Sequence, residues 1–396
     1  MKILMFSWEY PPHMVGGLGQ HVYDISRYLT RLGVEVHIIT PRVKCGSDYE
    51  NDHNVFIHRV GNPVNEANID NFKAWTFTFN SEAIREAVRL NSQVGGFALV
   101  HAHDWIVAYA GRAVAKIFEL PLVTTIHATE HGRNLGLHNR VQLEINEIEK
   151  NLALEADHII CCSQYMHHEI CSLFRVHPDA VTIIPNGVEP EQFMPLPDEP
   201  PLEIDPGEKV VFTLGRLVPE KGIWHLIACF PQVLERIPEA RLYIGGRGPQ
   251  KAVLQQTAYE LGIEDRVVFT GFLRDKERNY IYNKADVAVF PSHYEPFGIV
   301  ALEAMATRTP VIVSDVGGLG GIVKDRQTGL KVSAGNETDL AQAIIKVLTD
   351  QNLTAQLVQN AAGLVESVYN WTVIAQSTKD VYTKVLTQTK PKKEVV

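Results

Sequence analysis

Short apolar runs alternate along this chain with longer stretches in which apolar residues recur every three or four positions. Lys2–Trp8, Val34–Ile39, Val55–Val60, Ala98–His101, Leu122–Ile126, His158–Cys162 and Val181–Ile184 read as strands. Gln20–Leu32, Phe79–Leu90, Val107–Phe118 and Arg140–Ala156 read as helices between them. Such alternation predicts a parallel sheet with right-handed crossovers. The stretch from Asn62 to Phe77, polar with aromatics, fits neither period.

Pro185-Asn186-Gly187-Val188 interrupts the pattern as a stop and hinge, and Met194–Pro206, with five prolines and four acids, has the composition of a linker. A second set of strands follows at Val210–Leu214, Arg241–Ile244, Val267–Thr270, Val287–Phe290 and Val311–Ser314. The expectation is an α/β protein of two Rossmann-like domains, 1–188 and 189–372, facing each other across a cleft. Ligands of such sheets bind at the C-terminal ends of the strands. A last helix, about 373–388, ends the ordered chain, and the tail at Lys390-Pro391-Lys392-Lys393 is expected to be disordered.

Length and charge narrow the classes. The 396 residues, 45% of them hydrophobic, exceed one simple core. A net charge of −9 argues against a nucleic-acid binder and against docking on anionic lipid. Five cysteines without paired spacing point to reduced thiols in a cytoplasm. Met1–Phe6 is too short to span a membrane and no later apolar run is long enough, so a soluble chain without strong membrane association is expected.

The chemistry gathers at strand ends. After Val287–Phe290 comes Pro291-Ser292-His293-Tyr294-Glu295-Pro296-Phe297-Gly298-Ile299, then an apolar helix. Pro296 suits a first helical position, and Gly298 permits close approach of a ligand to the backbone. The amides of Phe297, Gly298 and Ile299 would meet a phosphate. Glu295 precedes the helix and Glu303 lies two turns along it, so one carboxylate can face a sugar and the other a ribose; two ordinary surface acids are the plainer reading. Gly215-Arg216-x4-Lys221-Gly222 follows Val210–Leu214, with a forked cation and a point cation suited to a diphosphate. Gly16-Gly17-Leu18-Gly19 follows the first strand and can either present amides to a diphosphate or serve as a flexible loop. It is not Gly-x-Gly-x-x-Gly, which disfavours a nicotinamide enzyme. No Asp-x-Asp pair offers a metal site on the diphosphate, so neither a metal nor a cofactor is expected.

The Glu-x7-Glu stretch resembles the donor-binding motif of the retaining GT-B glycosyltransferases of family 4, and the resemblance runs over nearly the whole chain. Ser7-Trp8-Glu9-Tyr10-Pro11-Pro12 with Gly16-Gly17-Leu18, and His101-Ala102-His103-Asp104-Trp105, are similar to two signatures of the glycogen and starch synthases. The resemblance implies a donor site at Gly16, Gly17, Asn186, Arg216, Lys221, Leu273, Glu295, Phe297, Gly298, Ile299 and Glu303. It implies acceptor contacts at Glu9, Tyr10, Asp104 and Trp105, and a catalytic set of His127, Arg216, Lys221 and Glu295. It also implies that the last helix crosses back onto the first domain. The partners implied are ADP-glucose or UDP-glucose and a carbohydrate acceptor, with the nucleobase seated at Thr270-Gly271-Phe272-Leu273 by contacts that read its shape. The chain departs from the pattern at Met14, where the synthases carry lysine, at Arg308, where glycine is common, and at Gly321, where a carboxylate is common.

Two other classes compete. His127-Ala128-Thr129-Glu130-His131 matches the His-x-x-Glu-His pattern of one zinc protease class, with His101 and His103 as further ligands. A non-catalytic sugar-nucleotide sensor would use the same fold without turnover.

Overall fold

The computed structural model describes residues 1–44, 46–64, 69–193 and 202–388. The chain divides into two compact units, Met1–Asn186 with the segment from Trp371 onward, and Gly187–Asn370. Most of the expected linker and the basic tail lie outside the described residues.

The first unit runs β1 (Lys2–Phe6), α1 (Gly17–Arg31), β2 (Glu35–Pro41), β3 (Tyr49–Asp52), β4 (Val55–Val60), α2 (Ile69–Val94), β5 (Leu99–His103), α3 (Ala108–Ile117), β6 (Leu122–Ile126), α4 (Glu130–Arg133), α5 (Arg140–Glu155), β7 (His158–Cys161), α6 (Gln164–Phe174) and β8 (Val181–Ile183). Among the described residues its sheet has the order β3-β4-β2-β1-β5-β6-β7-β8. Every pairing is parallel except β3 with β4. β1 is buried from Ile3 to Phe6 because helices cover both of its faces, which is why it reads as a continuous apolar run. On α1, Val22, Ile25 and Leu29 recur at helical spacing and pack with Ile3, Met5 and Val36. Polar caps start the helices that follow: Asn139 Oδ1 accepts from Gln142 N–H on α5, and Ser163 Oγ from Met166 N–H on α6.

The second unit runs β9 (Lys209–Leu214), α7 (Ile223–Arg236), β10 (Ala240–Gly245), α8 (Lys251–Glu260), β11 (Val267–Gly271), α9 (Asp275–Lys284), β12 (Val287–Phe290), α10 (Ile299–Ala306), β13 (Val311–Ser314), α11 (Gly317–Ile322), β14 (Leu330–Val332), α12 (Glu337–Thr349) and α13 (Gln351–Val368). Its parallel sheet has the order β11-β10-β9-β12-β13-β14. The chain then returns to the first unit as α14 (Trp371–Thr387). Trp371 and Tyr382 are buried in the first core with Tyr28 and Ile25, and Tyr382 Oη lies 2.7 Å from His101 Nδ1.

Several expectations shift. The helix read as Phe79–Leu90 extends to Ile69–Val94 and takes in much of the unassigned aromatic stretch. Two of its aromatics are core contacts, Phe72 packed against the core and Trp75 stacked on Phe79, while Phe77 is exposed. Pro296 is not the first helical residue. Gly298 has φ 110°, outside helical space, so α10 starts after it at Ile299.

In both sheets the strand order reverses beside the first strand of the unit, between β1 and β5 and between β9 and β12. These are the topological switch points where open parallel sheets leave a crevice at their carboxyl ends. Glu9, Gly16 and Asp104 in the first unit, and Arg216, Lys221 and Glu295 in the second, fall on the loops there, whereas His127, Asn186 and Leu273 follow other strands and Glu303 lies on α10.

Candidate functional site

The second unit's cluster is built by two loops that hold each other. After β9, Gly215-Arg216 leads to Lys221 and Gly222; after β12 comes Pro291–Gly298. The carbonyl of Glu220 accepts from the amides of His293 (2.8 Å) and Tyr294 (3.3 Å). Gly222 has φ 63°, and a Cβ there would stand 2.0 Å from the Pro291 carbonyl oxygen, so the two loops meet only over a glycine. Lys221 Nζ is paired with Glu295 Oε2, and both line a small recess with Gly215, Ser292 and Val300. Arg216 is half exposed and reaches Glu220 at 3.2 Å. The recess therefore carries one shielded cation beside its own carboxylate, with a second cation at hand.

Glu295 owes its place to a motif that sequence reasoning left unused. Gly318 N–H donates to the Glu295 carbonyl at 2.8 Å, and a Cβ on Gly317 would stand 2.2 Å from that oxygen. The Gly317-Gly318 pair at the start of α11 thus seats the Glu295 backbone, and two adjacent glycines shortly after a strand were the signal. Phe297 is buried, with its ring 6.2 Å from that of Tyr369. α10 points its N-terminus, at Gly298 and Ile299, into the same loop. Glu303 is buried rather than open to a ligand: Tyr282 Oη donates to it at 3.1 Å and Arg278 stands 3.5 Å away. Burial raises its pKa, against the opposing pull of Arg278 and then Tyr282. Leu273 packs over Gly245, whose added Cβ would meet its Cδ1 at 2.8 Å.

The first unit's cluster centres on histidines. His127 follows β6, and its N–H donates to Asp104 Oδ1 at 2.7 Å. Its Nε2 lies 3.2 Å from Nδ1 of His103, the last residue of β5. His21 of α1 approaches from the other side, its ring centroid 4.8 Å from that of His127. His21 Nδ1 lies 2.7 Å from Oδ1 of Asn186, a residue expected at the donor site. Burial, and then Arg133, pushes the His127 pKa down to about 3; burial, and then His127, pushes that of His21 to about 3. Both rings are therefore neutral near pH 7. Asp104 has φ 62° and ψ 178°, a region nearly reserved for glycine, and such strain costs on the order of 1–3 kcal/mol. Burial raises its pKa to about 6, opposed mainly by Arg133 at 3.7 Å.

The glycine loop is turned inward. Glu9 Oε2 accepts from the N–H groups of Val15 (2.8 Å) and Gly16 (2.9 Å). The anion at the N-terminus of α1 is thus the protein's own carboxylate, and Gly16 N–H is not available to a diphosphate. Glu9 is 3% exposed, Tyr10 2% and Trp105 8%, so the expected acceptor contacts at these three are buried side chains in this structure. Glu149, on α5, takes the Glu130 N–H on both of its oxygens at 3.0 Å and caps α4. Burial raises its pKa to about 8. The zinc-protease reading fails here on geometry. α4 is a single turn that begins at Glu130 behind the Thr129 cap, so His127 and His131 share no helical face.

A larger cavity, about 940 Å³, lies elsewhere, against β2, β4 and α2. Its lining of Lys2, Arg42, Arg59, Glu35, Asp48 and Glu86 mixes both signs, and it contains none of the motif residues.

Comparison with known proteins identifies the family of the chain. Residues 15–192 match the family described as Glycosyltransferase Family 4, and residues 197–363 match Glycosyl transferases group 1. The chain is 34% identical to the glycogen synthase of Mycobacterium tuberculosis, over 96% of this chain and 94% of that one. It is 37% identical to an uncharacterized glycosyltransferase of Methanocaldococcus jannaschii, over 96% and 98% of the two chains. Among solved structures, sucrose-phosphate synthase from Thermosynechococcus elongatus superposes with a TM-score of 0.83 at 25% identity, covering 97% of this chain and 98% of that one. No helix among the described residues is long and apolar enough to cross a membrane. With GT-B architecture in both units and relatives matched end to end, this chain belongs to glycosyltransferase family 4, in its glycogen synthase-like branch.

Proposed function

We propose that the enzyme is a retaining glucosyltransferase that moves glucose from ADP-glucose or UDP-glucose onto an α-glucan or maltooligosaccharide. The observation that carries this reading is the recess of the second unit. There, Lys221 and Glu295 are held against one another by the Glu220 carbonyl and the Gly317-Gly318 seat. Lys221 and Arg216 neutralise the charge that grows on the departing diphosphate, and the amides at the start of α10 add to this. Glu295 orients sugar hydroxyls. In the first unit, His127 presents a neutral ring to the sugar undergoing transfer. The acceptor attacks on the face the diphosphate leaves, and the leaving phosphate oxygen takes the acceptor's proton. The synthase relative and the His101–Trp105 signature support the glucan as acceptor.

Labelled ADP-glucose and UDP-glucose, each supplied with maltooligosaccharides and separately with lipid extract, test the reading. Extension by single α-1,4-linked units is the expected result. Label only in the lipid phase would overturn the glucan acceptor and put a glycolipid in its place.

Charge at the diphosphate comes from side chains in this scheme, so turnover is expected to stay near its untreated value in excess chelator. Complete loss, restored by magnesium or manganese, would sink the two-cation mechanism.

A further inference from the structure

We infer that His21, His103 and His127 form a binding site for a zinc-class divalent cation, one whose occupation silences transfer. One ligand atom from each ring can be chosen so that all three lie within 4.8 Å of one another. Two imidazole nitrogens on one zinc ion stand roughly 3.4 Å apart, given bonds of about 2.0–2.1 Å. His103 Nδ1 and His127 Nε2 are already 3.2 Å apart. A contraction of up to about 1.4 Å by His21 completes a three-histidine set with a fourth position open, the ligand count of a reactive rather than a structural zinc site.

The surrounding bonds select these three rings. His101 also lies in the group, 4.1 Å from His103 between ring centroids, but its nitrogens are committed to Tyr382 Oη (2.7 Å) and Thr125 Oγ1 (2.8 Å). His21 Nδ1 faces the Asn186 oxygen, which can only accept, so the proton sits on Nδ1 and Nε2 keeps its lone pair. An oxygen acceptor behind a ligating histidine is what fixes the tautomer in metal sites. His103 is fully buried, and its Nε2 has no hydrogen-bond partner among the described residues. On binding, the proton shared in the 3.2 Å contact moves to the outer nitrogen of its own ring, so all three rings remain neutral. Burial, the leading cause of the depressed pKa at each ring, keeps them unprotonated and ready for a cation near pH 7.

Inhibition follows from the role of His127 and rests on the proposed transferase reading; cation binding does not. An ion that takes the His127 lone pair removes the neutral ring from the sugar.

The test uses the full chain stripped with chelator, then titrated with cobalt chloride and, separately, zinc chloride. One cobalt per chain with the visible absorption of a tetrahedral nitrogen site is expected, displaced by one equivalent of zinc. The band should vanish in both His21→Gln and His103→Gln, each checked for fold by circular dichroism. It should persist in His177→Gln, a control at an exposed histidine. Zinc should lower glucosyl transfer at least tenfold, and chelator should restore it. A wild-type chain without the band, or a band retained in folded His21→Gln, would overturn the site and leave the transferase reading intact. A band of the expected kind in a chain that transfers no sugar from either donor would do the reverse.

Discussion

Replacing Lys221 with alanine should lower kcat/KM for the donor about a hundredfold, on the order of 3 kcal/mol of transition-state stabilisation. Its ammonium is the shielded cation of the recess and is paired with Glu295. Alanine therefore removes positive charge from the diphosphate and leaves Glu295 without a partner. Both effects bear on the same step. Arg216→Ala should cost less, because that side chain is half exposed and its charge is screened by water. Steady-state kinetics with varied donor, on variants whose circular dichroism matches wild type, give the comparison. An unchanged kcat/KM in folded Lys221→Ala would remove Lys221 from the phosphate site.

Acid should unfold the first unit early. His21, His101, His103 and His127 are held neutral by burial, their pKa values far below the roughly 6.5 of an unfolded chain. Below pH 6.5 the unfolded state binds protons that the folded state refuses, so stability is complete above that pH and is lost as pH falls. Each such histidine removes up to about 1.4 kcal/mol per pH unit. Glu149 acts in the opposite direction. Its raised pKa of about 8 lets the folded state hold a proton that the unfolded chain releases, which favours folding as pH falls from about 8 toward the ordinary carboxylate value. The histidines outnumber it, so a net loss of roughly 3–6 kcal/mol is expected between pH 6.5 and 5. Urea unfolding at pH 7, 6 and 5 measures it. A midpoint that stays constant over that range would show that these rings titrate freely in the folded protein.

The sheets were legible because buried parallel strands leave unmistakable apolar runs, as at Ile3–Phe6 and Val210–Phe212. Two short edge strands were not, since β3 is Tyr-Glu-Asn-Asp and β14 has three residues; at a sheet edge, pairing does not require an apolar signal. α6, which begins Gln-Tyr-Met-His-His, was missed too, because only Met166, Ile170 and Phe174 of its surface are buried. The charged residues proposed for the site were singled out mainly from their position after strands. What escaped was the support: His21 beneath His127, Glu149 capping α4, Tyr282 and Arg278 around Glu303. These act through contacts 19 or more residues distant in sequence, and no local pattern marks them. Arg308 gains a reason from its geometry. With φ 60° it occupies the left-handed position after α10 that a glycine would take without strain. Gly321 has open space where a side chain would go, so a carboxylate there would fit without clash.

The return of α14 to the first unit sets an order of events during synthesis. A ribosome releases the strands of the first sheet early, but Trp371 and Tyr382, which fill its core, and the Tyr382 hydroxyl that bonds His101, emerge only after the whole of Gly187–Asn370 has been made. At roughly 5–20 residues per second, that interval lasts on the order of ten seconds or more. During it the nascent first unit leaves uncovered the part of α1 that α14 will pack on, while the second unit is still being made. That uncovered face is thus a natural target for a chaperone that guards incomplete cores, and the core of the first unit cannot be completed until α14 has emerged.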